Sequence, residues 1–388
     1  MIEKSIGEVC DVIAGQSPES KFYNKEKIGL PFYQGKKEFT DKYIGKATTW
    51  TTKVTKEAFK DDILMSVRAP VGPVNFSTEN ICIGRGLAAI RVKENLDKEY
   101  LFYFLIYHEN QIIGNKGAVF NSINKNQIEN LKIPLPKNIE EQKQIVEILD
   151  KAFESIEQAK VNIEKNIKNT KELFQSRLNE IFSQKGEGWE EKTLKEVCTK
   201  ITDGTHQTPK YFDSGYTFLS SGNVTSGIIN WDKIKYIDEK QHLEMQKRVS
   251  PQLNDILLAK NGTTGVAAIV DRDIEFDIYV SLALLRASDK LEAKYLLHFV
   301  NSPIAKKQFN KRLKGSGVPN LHLQEIREVI VPYPISKKEQ LKISNYIELL
   351  SMRTKQLEKH YKQKLKNLEE LKRSILQKAF SGELLNDS

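Results

Sequence analysis

From Ile145 onward, apolar residues return at alternating steps of four and three: Ile145, Leu149, Ala152, Ile156, Ala159 and Ile163. That 3.5-residue average is the seam of a coiled coil. After one extra four-residue step the seam continues through Ile167, Thr170, Phe174, Leu178 and Ile181. A second stretch repeats the pattern with Ile343, Ile347, Leu350, Thr354, Leu357 and Tyr361, then Leu365, Leu368, Lys372, Leu376 and Ala379. The extra step falls between Ile163 and Ile167 in one and between Tyr361 and Leu365 in the other. Heptads converge easily, whereas a shared stutter points to common descent. Each stretch runs about 45 residues without Gly or Pro, so at roughly 1.5 Å per residue each predicts a helix on the order of 65 Å long. Such a helix must project from a small domain.

The two stretches belong to a longer repeat. Ile133–Ser183 aligns with Val331–Ser381 without a gap at a displacement of 198 residues. Pro134 and Pro136 meet Pro332 and Pro334, Glu141-Gln142 meets Glu339-Gln340, and Phe182-Ser183 meets Phe380-Ser381. The Pro-x-Pro openings predict extended chain ahead of each helix. The remaining residues form two globular halves, giving boundaries of 1–132, 133–186, 187–330 and 331–384 for domain, helix, domain, helix. Short β-branched and aromatic runs such as ICIGRGLAAIRV predict a substantial sheet with a few helices in each half. The expected class is α+β: two mixed α/β domains separated by two long helices that pair as an antiparallel coiled coil, with pseudo-two-fold symmetry. Antiparallel pairing would place the domains at opposite ends of a rod.

The globular halves are copies in frame. IGEVCDVI (Ile6–Ile13) matches LKEVCTKI (Leu194–Ile201), and Asp62-Ile63-Leu64 matches Asp255-Ile256-Leu257. Leu87-Ala88 with Arg91 matches Leu282-Ala283 with Arg286. Between these anchors, Ala14–Lys60 and Thr202–Asn254 have little in common, which suggests one scaffold reading two targets.

Charge refines this picture. The net charge of +9 favours a polyanionic partner. The first helix has an acidic excess (Glu140, Glu147, Asp150, Glu157) and the second a basic one (Lys337, Arg353, Lys359, Arg373), so unlike charge favours pairing them with each other. The alternative is that these runs only solvate exposed faces. Cys10, Cys82 and Cys198 form no CxxC, and Cys10 and Cys198, in matching EVC triplets, are expected at buried apolar positions. No run of some 18 apolar residues and no basic-then-apolar leader is present, so the chain reads as cytoplasmic, with no membrane partner. No NPPY-like tetrapeptide, GxxxxGK[ST] or HExxH occurs, no nucleophile stands with a base, and the glycines of Gly84-Arg85-Gly86 lack dinucleotide-binding spacing and read as a turn.

The order domain, helix, domain, helix resembles the specificity subunit of type I restriction-modification systems. GQSPESKFYN with GLPFYQGKKEF (Gly15–Asn24, Gly29–Phe39) resembles one class of target recognition domain, and TDGTHQTPKYFDSGYTFLSSGNV (Thr202–Val224) another. LKRSILQKAFSGEL (Leu371–Leu384) resembles the usual ending of such chains. One departure is the Trp-containing lead-in GWEEKTLKEV (Gly188–Val197), which the first domain lacks. The resemblance implies a noncatalytic DNA reader in which each domain reads one part of an asymmetric bipartite sequence and the helices set the gap. It also implies partners: double-stranded DNA, two modification subunits, and restriction subunits. S-adenosylmethionine, ATP and magnesium would belong to those partners, with no cofactor or metal on this chain.

Reading bases needs hydrogen-bonding side chains held in place by phosphate contacts. In the first domain the candidates are Gln16, Ser17, Lys21, Tyr23, Asn24, Gln34, Lys36 and Lys37. In the second they are Thr205, His206, Gln207, Thr208, Lys210, Tyr211, Ser221 and Asn223. Arg68, Lys260 and Asn261 follow the matched Asp-Ile-Leu anchors. Lys116 and Lys314, flanked by glycines at matching positions, are candidates for phosphate contact. Ser17, Asn24 and Thr208 could equally cap turns, and surface lysines often only solvate. Two other readings remain at this point: a structural adaptor whose coil separates two protein-binding domains, and a self-sufficient methyltransferase.

Overall fold

Both Gly- and Pro-free stretches form single helices in the computed structural model, Ile139–Phe182 and Lys337–Ser381. The structure describes residues 1–114, 122–224, 227–261, 264–313 and 320–385. Ahead of each helix the Pro-x-Pro element is a strand, Lys132–Leu135 or Ile330–Pro334. Each pairs antiparallel with the strand that opens a globular domain, Ile2–Ser5 or Trp189–Thr193. Proline cannot donate to a ladder and so suits a two-stranded pair with free edges. Residues Ile2–Ser5 therefore stand where the Trp lead-in stands in the second domain.

The chain divides into two compact units, Met1–Glu164 with Lys362–Ser388, and Lys165–Tyr361. In both long helices the division falls at the stutter. Each unit holds one globular domain, the start of the helix that follows it and the end of the other long helix. In the first unit Ile145, Leu149, Leu376 and Ala379 enter the core of the domain beside Ile6, Ile90, Tyr100 and Leu101. In the second, Leu178, Phe182 and Ile347 do so beside Leu194, Ile256, Tyr295 and Phe299. The terminal Phe of each repeat serves the opposite domain: Phe380 stacks edge-on against Tyr100 at 5.3 Å and Phe182 against Tyr295 at 5.4 Å.

The helices pair antiparallel within each unit. In the first, Lys372 lies over the Phe153 ring at 4.7 Å and Lys160 meets Glu369 at 3.1 Å. In the second, Lys171 meets Glu358 at 3.8 Å. The two ion pairs run against the overall charge imbalance, since in both the acidic first helix supplies the lysine. Several of its carboxylates meet lysines of their own helix, as in Lys143–Glu140 and Lys151–Glu147. Every expected seam position is buried or half-buried except Leu357, which is 42% exposed. A straight helix drifts against a 3.5-residue repeat, and just before the stutter the drift turns Glu358 inward in its place.

The repeated Glu-Gln pair now has a physical role. Gln340, fully buried, accepts from Glu292 N at 2.7 Å and donates to Pro334 O at 2.8 Å and Lys290 O at 3.0 Å. Gln142 accepts from Asp97 N at 2.8 Å and donates to Asn95 O at 3.2 Å. Each glutamine ties a long helix to the turn that starts a domain helix, Lys98–Gly114 or Ala293–Val300.

Each domain has a four-stranded antiparallel sheet. The strand order is Cys10–Ala14, Leu87–Val92, Ile63–Ser66, Val74–Phe76 in the first and Cys198–Asp203, Leu282–Ala287, Ile256–Ala259, Ala267–Ile269 in the second. A second sheet has five short strands in the first domain and three in the second. The unlike inserts share an element there: Leu30–Tyr33 runs parallel to Ile81–Ile83 as Tyr216–Leu219 runs parallel to Phe276–Ile278. Cys10 is buried and Cys198 half-buried, and desolvation pushes both thiols up to about 12.

Candidate nucleic-acid interface

Where the two sheets of each domain meet, their strands end in loops held by matching backbone bonds. Gln16 N donates to Ile83 O at 3.0 Å, as Thr205 N does to Ile278 O at 3.0 Å. Gly84 N donates to Tyr33 O and Tyr279 N to Leu219 O, both at 2.8 Å. Val67 N donates to Gly86 O at 3.0 Å and Lys260 N to Ser281 O at 2.9 Å. The preceding glycines make the approach possible, because a Cβ on Gly15 would meet Gly84 O at 2.2 Å and one on Gly204 would meet Ile278 O at 1.8 Å. Each domain thus carries one rim of strand-end loops on an equivalent frame.

In the first domain the rim brings together Gln16, Ser17, Gln34, Lys36, Lys37 and Arg68. A cleft of about 490 Å³ opens between Ser17, Gln34, Arg68 and Arg85. Arg68 and Arg85 are exposed. Arg85 stands in what the sequence reads as a turn, and an arginine between two glycines, Gly84 and Gly86, is the signal that marks it. Arg85 N donates to Ser17 Oγ at 3.3 Å. Lys21 pairs with Glu19 at 2.7 Å. Tyr23 stacks on Phe32 at 4.8 Å and donates its hydroxyl to Pro18 O at 2.8 Å. The Asn24 side chain clasps Ile28 through its N–H and carbonyl at 3.0 and 2.8 Å, so it shapes the loop.

In the second domain the rim brings together Thr205, His206, Gln207 and Thr208. Thr208 Oγ1 lies 3.4 Å from the Tyr279 hydroxyl, and Gln207 N donates to Thr205 Oγ1 at 3.3 Å. Gln241 of the helix Glu239–Gln246 accepts from Lys210 N at 2.9 Å and donates to Lys210 O at 3.0 Å, pinning this loop. Between loop and helix lies a cavity of about 380 Å³. Buried His242 seats the helix by bonding Asp277 at 2.7 Å and stacking on Tyr216 at 3.8 Å. Tyr211 sits under Lys235 at 4.0 Å. Ser221 N donates to Ser281 Oγ at 3.0 Å.

Other candidates face inward. Asn223 is buried and bonds Ser220 N, Asn230 O and Lys233 O at 2.9, 3.2 and 2.9 Å. Lys260 is buried against Asp203 at 2.6 Å. Asn261 forms a bridge with Asn320, as Arg68 does with Ser122. Lys116 and Lys314 lie outside the described residues. Arg248 was not singled out in the sequence, where it is one more cation after a polar helix; it too binds Asp203, at 2.6 Å. Burial pushes the Asp203 carboxyl up, yet the bonds from Lys260 and Arg248 outweigh this and hold it below the usual carboxylate value. Among the described residues no cluster of His, Cys, Asp and Glu could hold a metal, and no helix is long and apolar enough to cross a membrane.

Two domains of one frame, each presenting a rim of different polar side chains and joined by paired helices, define a two-headed recognition protein. The chain belongs to the type I restriction modification DNA specificity domain family, whose model matches residues 1–169 and 186–367. It is similar to a Methanocaldococcus jannaschii chain assigned as the type I restriction enzyme MjaX specificity subunit, 47% identical over 165 residues, which span 39% of this chain and 38% of that one. The MjaVIII specificity subunit of the same organism is 26% identical over 392 residues, 94% of this chain and 90% of its own length. A solved structure from work on complex assembly and conformational transition of the type I R-M system superposes with a TM-score of 0.79 at 21% identity, covering 99% of this chain and 98% of the other. The chain is a specificity subunit, the noncatalytic member of a type I restriction-modification enzyme, and its globular domains are DNA recognition domains.

Proposed function

We propose that each recognition domain reads one half of an asymmetric bipartite duplex sequence, while the paired helices set the untouched gap and dock two modification subunits. One observation carries this reading. The same strand-end loops stand on the same frame in both domains, yet they present Gln16, Ser17, Gln34 and Arg68 in one and Thr205, His206, Gln207 and Thr208 in the other. Side chains of that kind read base edges, and the excess of cations suits phosphate contacts that hold the register. Lys21, Lys36, Lys37 and Lys210 are exposed and suited to phosphate. S-adenosylmethionine, ATP and magnesium would enter with the modification and restriction subunits.

The test is a segment exchange. Replacing Ala14–Lys60 with the corresponding segment of another recognition domain should change one half of the methylated sequence in cells and leave the other half intact. A complex that methylated unrelated duplexes equally well would sink this reading.

A further inference from the structure

Asp203 ends the edge strand of the main sheet in the second domain and is 3% exposed. Lys260 Nζ reaches its Oδ2 at 2.6 Å, and Arg248 Nη2 reaches its Oδ1 at 2.6 Å. Arg248 Nε also donates to the Asp203 carbonyl at 3.2 Å. The guanidinium is therefore gripped along its Nε–Nη2 edge, which leaves Nη1 and the second N–H of Nη2 outside those bonds. Its side chain remains 49% exposed and lines the 380 Å³ cavity beside Gln207, Thr208 and Glu244. Lys260 is engaged inside the protein and offers nothing to a ligand.

The local charges decide what this cavity suits. Lys260 and Arg248 carry two positive charges and Asp203 and Glu244 two negative ones, and His206 Nε2 lies 3.4 Å from Asp203 Oδ1 in the same wall. A phosphate would enter a site with no net positive charge and with the Glu244 carboxylate in its wall. A base edge is neutral, and a guanine offers two acceptors, O6 and N7, that match the forked end of an arginine. A carboxylate beside it suits the exocyclic amine of cytosine. Holding the fork in advance removes much of the rotamer entropy that a free arginine would lose on binding.

We propose that Arg248, positioned by Asp203, is a specificity-determining residue that reads a guanine in the half-site of the second domain, with Glu244 facing the cytosine amine of the same step. The proposal rests on the reading above that this domain contacts duplex DNA. Among the described residues the first domain has no such clamp. Ala14, opposite Ala88, takes the place of Asp203, opposite Ala283. Val67, whose carbonyl accepts from Ile123 N, takes the place of Lys260, whose carbonyl accepts from Leu321 N.

The test uses the full chain assembled with its modification subunits. Methylation mapping first gives the target, and duplex binding is then measured on that target and on duplexes with each base pair substituted in turn. For Arg248→Gln, discrimination at one G·C pair in one half should fall roughly ten- to a hundred-fold, with all other positions unaffected. Arg248→Lys keeps the charge but loses the fork, so it should behave like Arg248→Gln. Binding lowered equally on every duplex, or an Arg248→Lys variant that keeps full discrimination, overturns the proposal. If the arginine variants do not fold, Glu244→Gln at its exposed helix position carries the test, and it must relax the same base pair or the idea fails. A wild-type complex that marks no sequence motif would instead remove the DNA-reading function itself.

Discussion

Arg286 grips Asp255 with both edges of a fork, Nε to Oδ1 at 2.8 Å and Nη2 to Oδ2 at 2.7 Å. Arg91 does the same to Asp62, at 2.9 and 2.7 Å. Each carboxylate also caps a turn, accepting from Gln252 N at 2.8 Å or Phe59 N at 2.7 Å. The anchors that looked like separate phrases in the sequence are partners across neighbouring strands.

Removing the arginine alone leaves a buried carboxylate without its counter-ion. Arg286→Met is expected to destabilise the full chain by about 2–4 kcal/mol, because the lone charge is costly while the pair itself is worth little over an apolar replacement. Arg286→Met combined with Asp255→Leu should recover part of that loss. Urea unfolding midpoints check both, and a single variant as stable as wild type would refute the assignment.

Gln340 makes three hydrogen bonds from a fully buried position. Gln340→Leu fills the space but strands one N–H and two carbonyls, at a cost of about 2–4 kcal/mol. Gln142→Leu strands one of each and should cost less. Thermal unfolding of the two variants tests the order, and equal losses would contradict it.

The periodicity made the helices, their seam and their stutter legible, because an apolar repeat of 3.5 residues sustained over about 45 residues suits a partnered helix and neither a strand nor a loop. The rims were only partly legible. Gln16 and Thr205 follow glycines that must approach a neighbouring strand, and that constraint is local. Lys260 and Asn223 are polar residues in polar loops, and nothing within a few residues says that Lys260 turns inward to Asp203, 57 positions away. Arg248 escapes the sequence for the same reason, since the cavity around it is built from distant segments, whereas Arg85 is signalled locally by its flanking glycines. The charge runs misled at the level of pairs, since several first-helix carboxylates bond within their own helix and the few interhelical bridges have the opposite polarity.

His298 lies on the helix Ala293–Val300 facing the second long helix, and its Nε2 has no hydrogen-bond partner. Burial pushes its imidazole down to about 4, with Glu348 opposing the shift and Lys294 adding to it. The unfolded chain binds the proton near pH 6.5, so the unfolded state holds more protons between those values. The contribution to stability is complete above pH 6.5 and is lost as the pH falls toward 4, by up to about 3 kcal/mol. At the equivalent place in the first domain, Tyr103 donates its hydroxyl to Asp150. His298→Tyr should therefore find Glu348 in the same way, and the difference in melting temperature between pH 7.5 and pH 5 should shrink. An unchanged difference would show that His298 does not govern it.

The stutters between Ile163 and Ile167 and between Tyr361 and Leu365 mark where one compact unit gives way to the other. A stutter is a four-residue step, so four more residues after Ile163 repeat a step this helix already takes there, absorbed by local unwinding of the coil. The insertion adds about 6 Å of helix, at roughly 1.5 Å per residue. A duplex advances about 3.4 Å per base pair, so if the paired helices set the gap in the target, that gap should grow by about two base pairs. Both half-sequences should stay as they are, because no residue of either rim has changed. Methylation mapping of cells carrying the insertion reads the gap directly. An unchanged gap with retained methylation would mean that something other than the helices measures the distance. A changed half-sequence would mean that the long helices help to shape the rims.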